Sequence, residues 1–237
     1  MKKLFSVLEY KKEDINIYIL LLSAPLLMSI YRYHGYADFF ADYFPGLRAH
    51  PLLELYSHYW QFGLFFLLSY VFPVLFIKLK IKKPLRDFGF GFGDWPFGLR
   101  LVLFSVPLLV APLIYIASLM PDVRAEYPLV KLLHTRHDLI LQYELAYIFF
   151  YYIAWEFFFR GFLLFGLKER FGNMNAILIQ TISSSLIHIG KPEGEIIGAI
   201  FLGFIFGALA LRTRSIWYVF ILHAFIGVLT DLFILFL

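Results

Sequence analysis

The feature that most constrains this chain is its set of long apolar runs. Stretches such as 15–28 and 64–77 carry no charged residue at all. A bilayer core about 30 Å thick needs about 20 mostly apolar residues to cross it as a helix. Backbone groups in lipid must find their partners within the protein, so runs of this length read as helices. A membrane barrel would show strict apolar/polar alternation in shorter segments, and these runs do not alternate. The whole chain is 61% hydrophobic and 16% charged, where a soluble domain carries about a quarter charged residues. The expectation is an all-α, polytopic transmembrane helix bundle.

Seven spans are predicted within a range of six to eight: 15–33, 60–77, 97–120, 139–167, 175–189, 195–211 and 215–237. The fifth and sixth are short, which is tolerated where a span packs among other helices. The distribution of cations orients them. With the N-terminus in the cytoplasm, the inner segments hold Lys2, Lys3, Lys11, Lys12, Lys78, Lys80, Lys82, Lys83, Arg86, Lys168, Arg170, Arg212 and Arg214. The outer segments hold Arg32, Arg48, Arg124, Lys131, Arg136 and Lys191. The excess inside predicts a cytoplasmic N-terminus and an outer C-terminus in an inner (plasma) membrane. The first apolar run lacks a small-residue cleavage site and reads as a retained signal anchor. The basic pI near 9.1 reflects these loop cations, and no nucleic-acid motif accompanies it. Cysteine is absent, which excludes disulfides, thiolate nucleophiles and cysteine-ligated metals.

Residues 1–237 read as a single membrane domain with two regions. Residues 1–138 supply N-terminal spans and loops. Residues 139–237 supply a four-helix region that holds the unusual intramembrane residues. An ionisable side chain in hydrocarbon costs several kcal/mol and needs a partner or a wet cavity. Glu156 and Arg160 stand i, i+4 on one helix face. His188 lies on a polar stripe with Gln180 and Ser184, and His223 sits in an otherwise apolar run. At about 1.5 Å of rise per residue, all four fall about 11–20 Å from the inner ends of their spans. Ala199, Gly203 and Gly207 form a small-residue ridge that lets neighbouring helices approach. Taken singly, each residue also reads as packing: a buried ion pair, or a satisfied core histidine. Their common depth reads as one site.

The order Glu156-Phe-Phe-Phe-Arg160-Gly161, then His188, then a Gly-rich span, then Arg-Thr-x-Ser-Ile-Trp before His223 resembles the CPBP family. That family comprises type II CAAX prenyl endopeptidases and bacteriocin-processing or Abi proteins. The resemblance covers about residues 148–231. It implies an intramembrane glutamic protease, with Glu156, Arg160, His188 and His223 as its catalytic positions. Three positions depart from the family pattern: Trp155 replaces the first Glu of EExxxR, Ser184 replaces a Phe, and Gly227 replaces an Asn or Asp that helps form the oxyanion hole. Glu195, Trp155, Gln180 and Ser184 are auxiliary candidates. The partners expected are lipid and a membrane-anchored or lipidated protein substrate, with no nucleic acid.

In chemical terms, peptide hydrolysis needs an activated water, oxyanion stabilisation and a proton for the leaving amine. Glu156 turned toward His188 would be the base, with His223 as oxyanion donor or general acid. Glu195 is a second carboxylate on the side of His188, and equally an acid favoured by a helix N-terminus. No cofactor is expected. Zinc held by Glu156, His188 and His223 is the minor alternative. Two other functions fit the same residues: a non-catalytic relative that binds or escorts a membrane peptide, and a transporter or proton relay.

Overall fold

The computed structural model describes residues 7–237; Lys2 and Lys3 of the cation census lie outside them. Six helical stretches are long and apolar enough to cross a membrane. Three precede the site: α1 (Lys12–Gly35), α2 (Leu53–Ile81) and α3 (Trp95–Ser118). The fourth stretch, His137–Leu186, is 50 residues long. A straight helix of that length would measure about 75 Å, more than twice the bilayer core. It is folded at Gly172, whose φ of 77° and ψ of 164° belong to a region open essentially to glycine alone. The two limbs are α4 (137–171) and α5 (173–186). They are followed by α6 (Glu193–Thr213) and α7 (Trp217–Phe236). The predicted all-α bundle is therefore present, and the fourth and fifth spans are the arms of one kinked helix. Wide π-helical turns interrupt several helices, the longest over Phe157–Phe165.

The apolar pattern puts His188 within the fifth span. The helix instead ends at Leu186, and His188 occupies the turn that follows. Gly190 at φ 101° and Pro192 stop the helix there, because a left-handed glycine and a proline both break the ladder.

α4 is the hub of the bundle. In its most apolar window 72% of residues are buried, against 11% for α3. Phe157, Phe158, Phe159, Phe162, Leu163 and Leu164 are buried all round the helix, as expected for a helix enclosed by its neighbours. Around them, α1, α2, α5, α6 and α7 contribute to one large core. A smaller cluster at the other end joins Leu55 and Phe62 of α2 to Tyr143, Tyr147 and Tyr152 of α4 and Ala224 of α7. The outer helices turn apolar side chains outward, as Leu103, Leu108 and Leu113 of α3 do. In water such a stripe would be an adhesive patch; in a bilayer it is the lipid-facing surface.

Charged groups gather at two ends. At one end Arg170 pairs with Asp14 at 3.3 Å, Lys83 with Glu169 at 3.2 Å and Arg212 with Asp94 at 2.7 Å. At the other, Lys191 pairs with Glu126, and Glu54 accepts the backbone N–H groups of Lys131 and Leu132 at 2.6 and 2.9 Å. Gly203 and Gly207 of α6 are met closely by Thr181 and Gln180 of α5. The small-residue ridge is thus a helix contact.

Candidate active site

Two helix faces build the centre of the site. On α4, Tyr152, Glu156 and Arg160 follow one another at i, i+4 steps. On α7, His223, Gly227 and Asp231 do the same. Where the two faces meet, Glu156 is fully buried and Arg160 almost so. Arg160 Nη1 donates to Glu156 Oε1 at 3.2 Å, and His223 Nδ1 lies 2.6 Å from the same oxygen. A carboxylate can only accept here, so the proton is assigned to Nδ1, and Nε2 of the neutral ring keeps its lone pair. The His223 side chain retains 20% exposure. Glu156 Oε2 and Arg160 Nε are buried with no hydrogen-bond partner. The guanidinium offsets the buried carboxylate charge, and its carbon lies 5.8 Å from the centre of the Phe206 ring.

His188 does not join this group. Its Nδ1 lies 2.8 Å from the Ser184 carbonyl, which it donates to, and its Nε2 faces Glu195 Oε1 at 4.0 Å. Tyr127, in the segment between α3 and α4, donates to both Glu195 oxygens at 2.9 Å. Burial, and then the charge of Glu195, hold the Tyr127 hydroxyl well above its ordinary pKa, so it remains a donor. Trp155 stands between the two groups. Its ring centre is 5.1 Å from His188 and 6.0 Å from His223, edge to face with each. At the motif's first carboxylate position this chain therefore sets an apolar ring that contacts both imidazoles, His223 of the Glu156–His223 pair and His188, whose Nε2 faces Glu195.

The other candidates take different places. Gln180 is fully buried and donates to the Gly203 carbonyl at 2.8 Å, which ties α5 to α6. The Ser184 hydroxyl donates to the Thr181 carbonyl at 3.2 Å, and the residue reaches the site through its own carbonyl. Asp231 of α7 and Glu144 of α4 are both buried, with no hydrogen-bond partner among the described residues for either carboxyl, and Asp231 lies two turns from His223. Of the Glu156, His188 and His223 set considered for zinc, His188 turns its Nδ1 to the Ser184 carbonyl rather than to the other two. Among the described residues no group of three or more His, Cys, Asp or Glu side chains is arranged to hold a metal.

Sequence reasoning alone does not find Tyr152. It is 4% exposed, its ring lies 4.8 Å from that of His223, and its hydroxyl rests against Gly227. Its i, i+4 spacing from Glu156 is the available signal, masked by a run that also holds Tyr147 and Tyr151. Tyr127 escapes it too, since nothing local links a loop tyrosine to a carboxylate 68 residues away.

Residues 138–229 match the model of the type II CAAX prenyl endopeptidase family, Rce1-like. The match bears out the CPBP resemblance and covers α4 through most of α7, including Glu156, Arg160, His188 and His223. No curated protein and no solved structure gives a significant match.

Proposed function

We propose that this CPBP-family membrane protein is an intramembrane endopeptidase that hydrolyses a peptide bond of a membrane-associated or lipidated protein. The observation that carries the reading is the Glu156–His223 pair, with the carboxylate neutralised by Arg160 and the imidazole still reachable. Glu156 fixes the ring orientation and tautomer, leaving Nε2 as the base, in the logic of a carboxylate–histidine pair acting on a nucleophile. Nε2 takes a proton from water. The hydroxide oxygen bonds to the scissile carbonyl carbon, and the carbonyl electron pair moves to its oxygen. The imidazolium, stabilised by Glu156, returns the proton to the amide nitrogen as the carbon–nitrogen bond breaks.

The second pair supports a second reading of the base. Glu195 and His188 are 25% and 16% exposed in their side chains, and their 4.0 Å gap is one that a water bridges. In that reading Glu195 takes the proton. The N-terminus lies in the cytoplasm, in keeping with the cation excess on the inner segments.

Purified full-length protein in vesicles, offered a library of membrane-anchored peptides, tests the reading. Cleavage is expected, and Glu156→Gln and His223→Ala are each expected to lower kcat by about 10²-fold or more. Loss of activity in Glu195→Gln and His188→Ala, with Glu156→Gln active, transfers the base to the second pair. Cleavage by all four variants overturns the site. Peptide binding without cleavage by the wild type marks a binding or escort protein instead. Sensitivity of cleavage to a chelator would bring back the zinc alternative.

A further inference from the structure

We propose that the hydroxyl of Tyr152 donates the hydrogen bond that stabilises the tetrahedral oxyanion. The inference rests on the endopeptidase reading above and deepens it. A reaction of that kind develops negative charge on the former carbonyl oxygen, and a fixed donor at that point accelerates the reaction strongly. Arg160 Nη1 is already engaged by Glu156, and the assigned proton of His223 points at the same carboxylate. The His223 proton is thus committed in the resting geometry, and the Arg160 guanidinium is held at the Glu156 carboxylate.

Tyr152 is placed for the task by both helices. It sits one turn before Glu156 on α4, and its ring packs at 4.8 Å against the imidazole of His223. On α7, one turn after His223, Gly227 makes room for it: any Cβ at 227 would overlap the Tyr152 hydroxyl oxygen and crowd the ring carbon that carries it. The hydroxyl therefore fills the volume that a side chain at 227 would occupy beside His223. Gly227 is thus the counterpart of the tyrosine rather than a simple loss. The Tyr147 ring packs beside that of Tyr152, centres 4.5 Å apart, and a phenol can accept one bond while donating another. The Tyr152 proton is thus able to turn to the substrate. The buried ring holds the donor still, so no reorganisation is needed as charge develops. Tyr152 gives only a hydrogen bond; the proton cycle between water, His223 and the leaving nitrogen is unchanged.

Tyr152→Phe removes the donor and keeps the ring. In the vesicle assay it is expected to lower kcat about 10²- to 10³-fold, with KM within about twofold of wild type and the thermal midpoint unmoved. A peptidyl phosphonate, which presents a tetrahedral anion, should bind Tyr152→Phe about 10²-fold more weakly than wild type, while the uncleaved parent peptide binds both equally. Wild-type kcat in Tyr152→Phe overturns the inference and leaves the endopeptidase reading intact. So does a loss of kcat matched by a lowered thermal midpoint, or by equal weakening of both ligands. A wild-type protein that cleaves no peptide overturns both.

Discussion

Glu156 carries the sharpest energetic demand in the molecule. A fully buried carboxylate is tolerable because a guanidinium and an imidazole share one of its oxygens. Breaking a buried pair by removing one partner costs about 3–5 kcal/mol, whereas replacing both partners with neutral groups is often close to neutral. Arg160→Met is therefore expected to lower the thermal midpoint by about 10 °C, using about 2–4 °C per kcal/mol for a chain of this size. Glu156→Gln combined with Arg160→Met should recover most of that loss, read by thermal unfolding in detergent. Equal midpoints for the single and double variants would show that the pair is not what holds Glu156. This pair is legible in the sequence, because an i, i+4 spacing is a local fact. The partner of His223 is not: its contact with Glu156 closes a gap of 67 residues, which no local pattern records. Common depth suggests a site. It cannot foresee that Trp155 sends each histidine to a different carboxylate, because depth gives the level along a helix and not the direction a side chain faces.

Among the elements, the α4–α5 hairpin decides the geometry. The Trp155–His188 contact exists only because the chain reverses at Gly172. Any residue with a Cβ is strained at that φ and ψ, by about 1–3 kcal/mol. Gly172→Ala is expected to destabilise the protein by that amount in denaturant unfolding and to reduce cleavage. Unchanged stability would mean that the reversal does not depend on glycine. Hydropathy marks the two spans but not their nearly loopless junction, since Gly172-Asn173 reads as an ordinary short turn. At the same end of the bundle, Asp94 caps α3 by accepting the Phe97 N–H and pairs with Arg212. Arg212 first, and then the Phe97 amide, hold the Asp94 carboxyl below its ordinary range. A carboxyl depressed in the folded state contributes stability above its unfolded value, about 3.9, and loses it as pH falls through the folded value. Asp94→Asn should thus lower the thermal midpoint modestly at pH 7, with the difference from wild type disappearing in strong acid. A difference that persists there would assign the effect to packing rather than to charge.

On the scale of the whole molecule, the pairing of polar ends favours the seven-crossing path. Asp14–Arg170, Lys83–Glu169 and Asp94–Arg212 join segments that the cation census puts inside, while Lys191–Glu126 joins two that it puts outside. Exposed pairs of this kind add little stability, but each requires its two segments to share one end of the bundle. An odd number of crossings from α1 to α6 would set at least one of these pairs across the bilayer. The absence of cysteine makes the path directly measurable, since a single introduced thiol has no background. Lys80→Cys, at the α2 end near Lys83, and His134→Cys, in the segment before α4, are both at exposed positions. A membrane-impermeant maleimide added to intact cells is expected to label His134→Cys and to label Lys80→Cys only after permeabilisation. The reverse pattern would invert the protein in its membrane and with it the side from which Glu195 and His188 are reached. Labelling of both in intact cells would break the seven-crossing path itself.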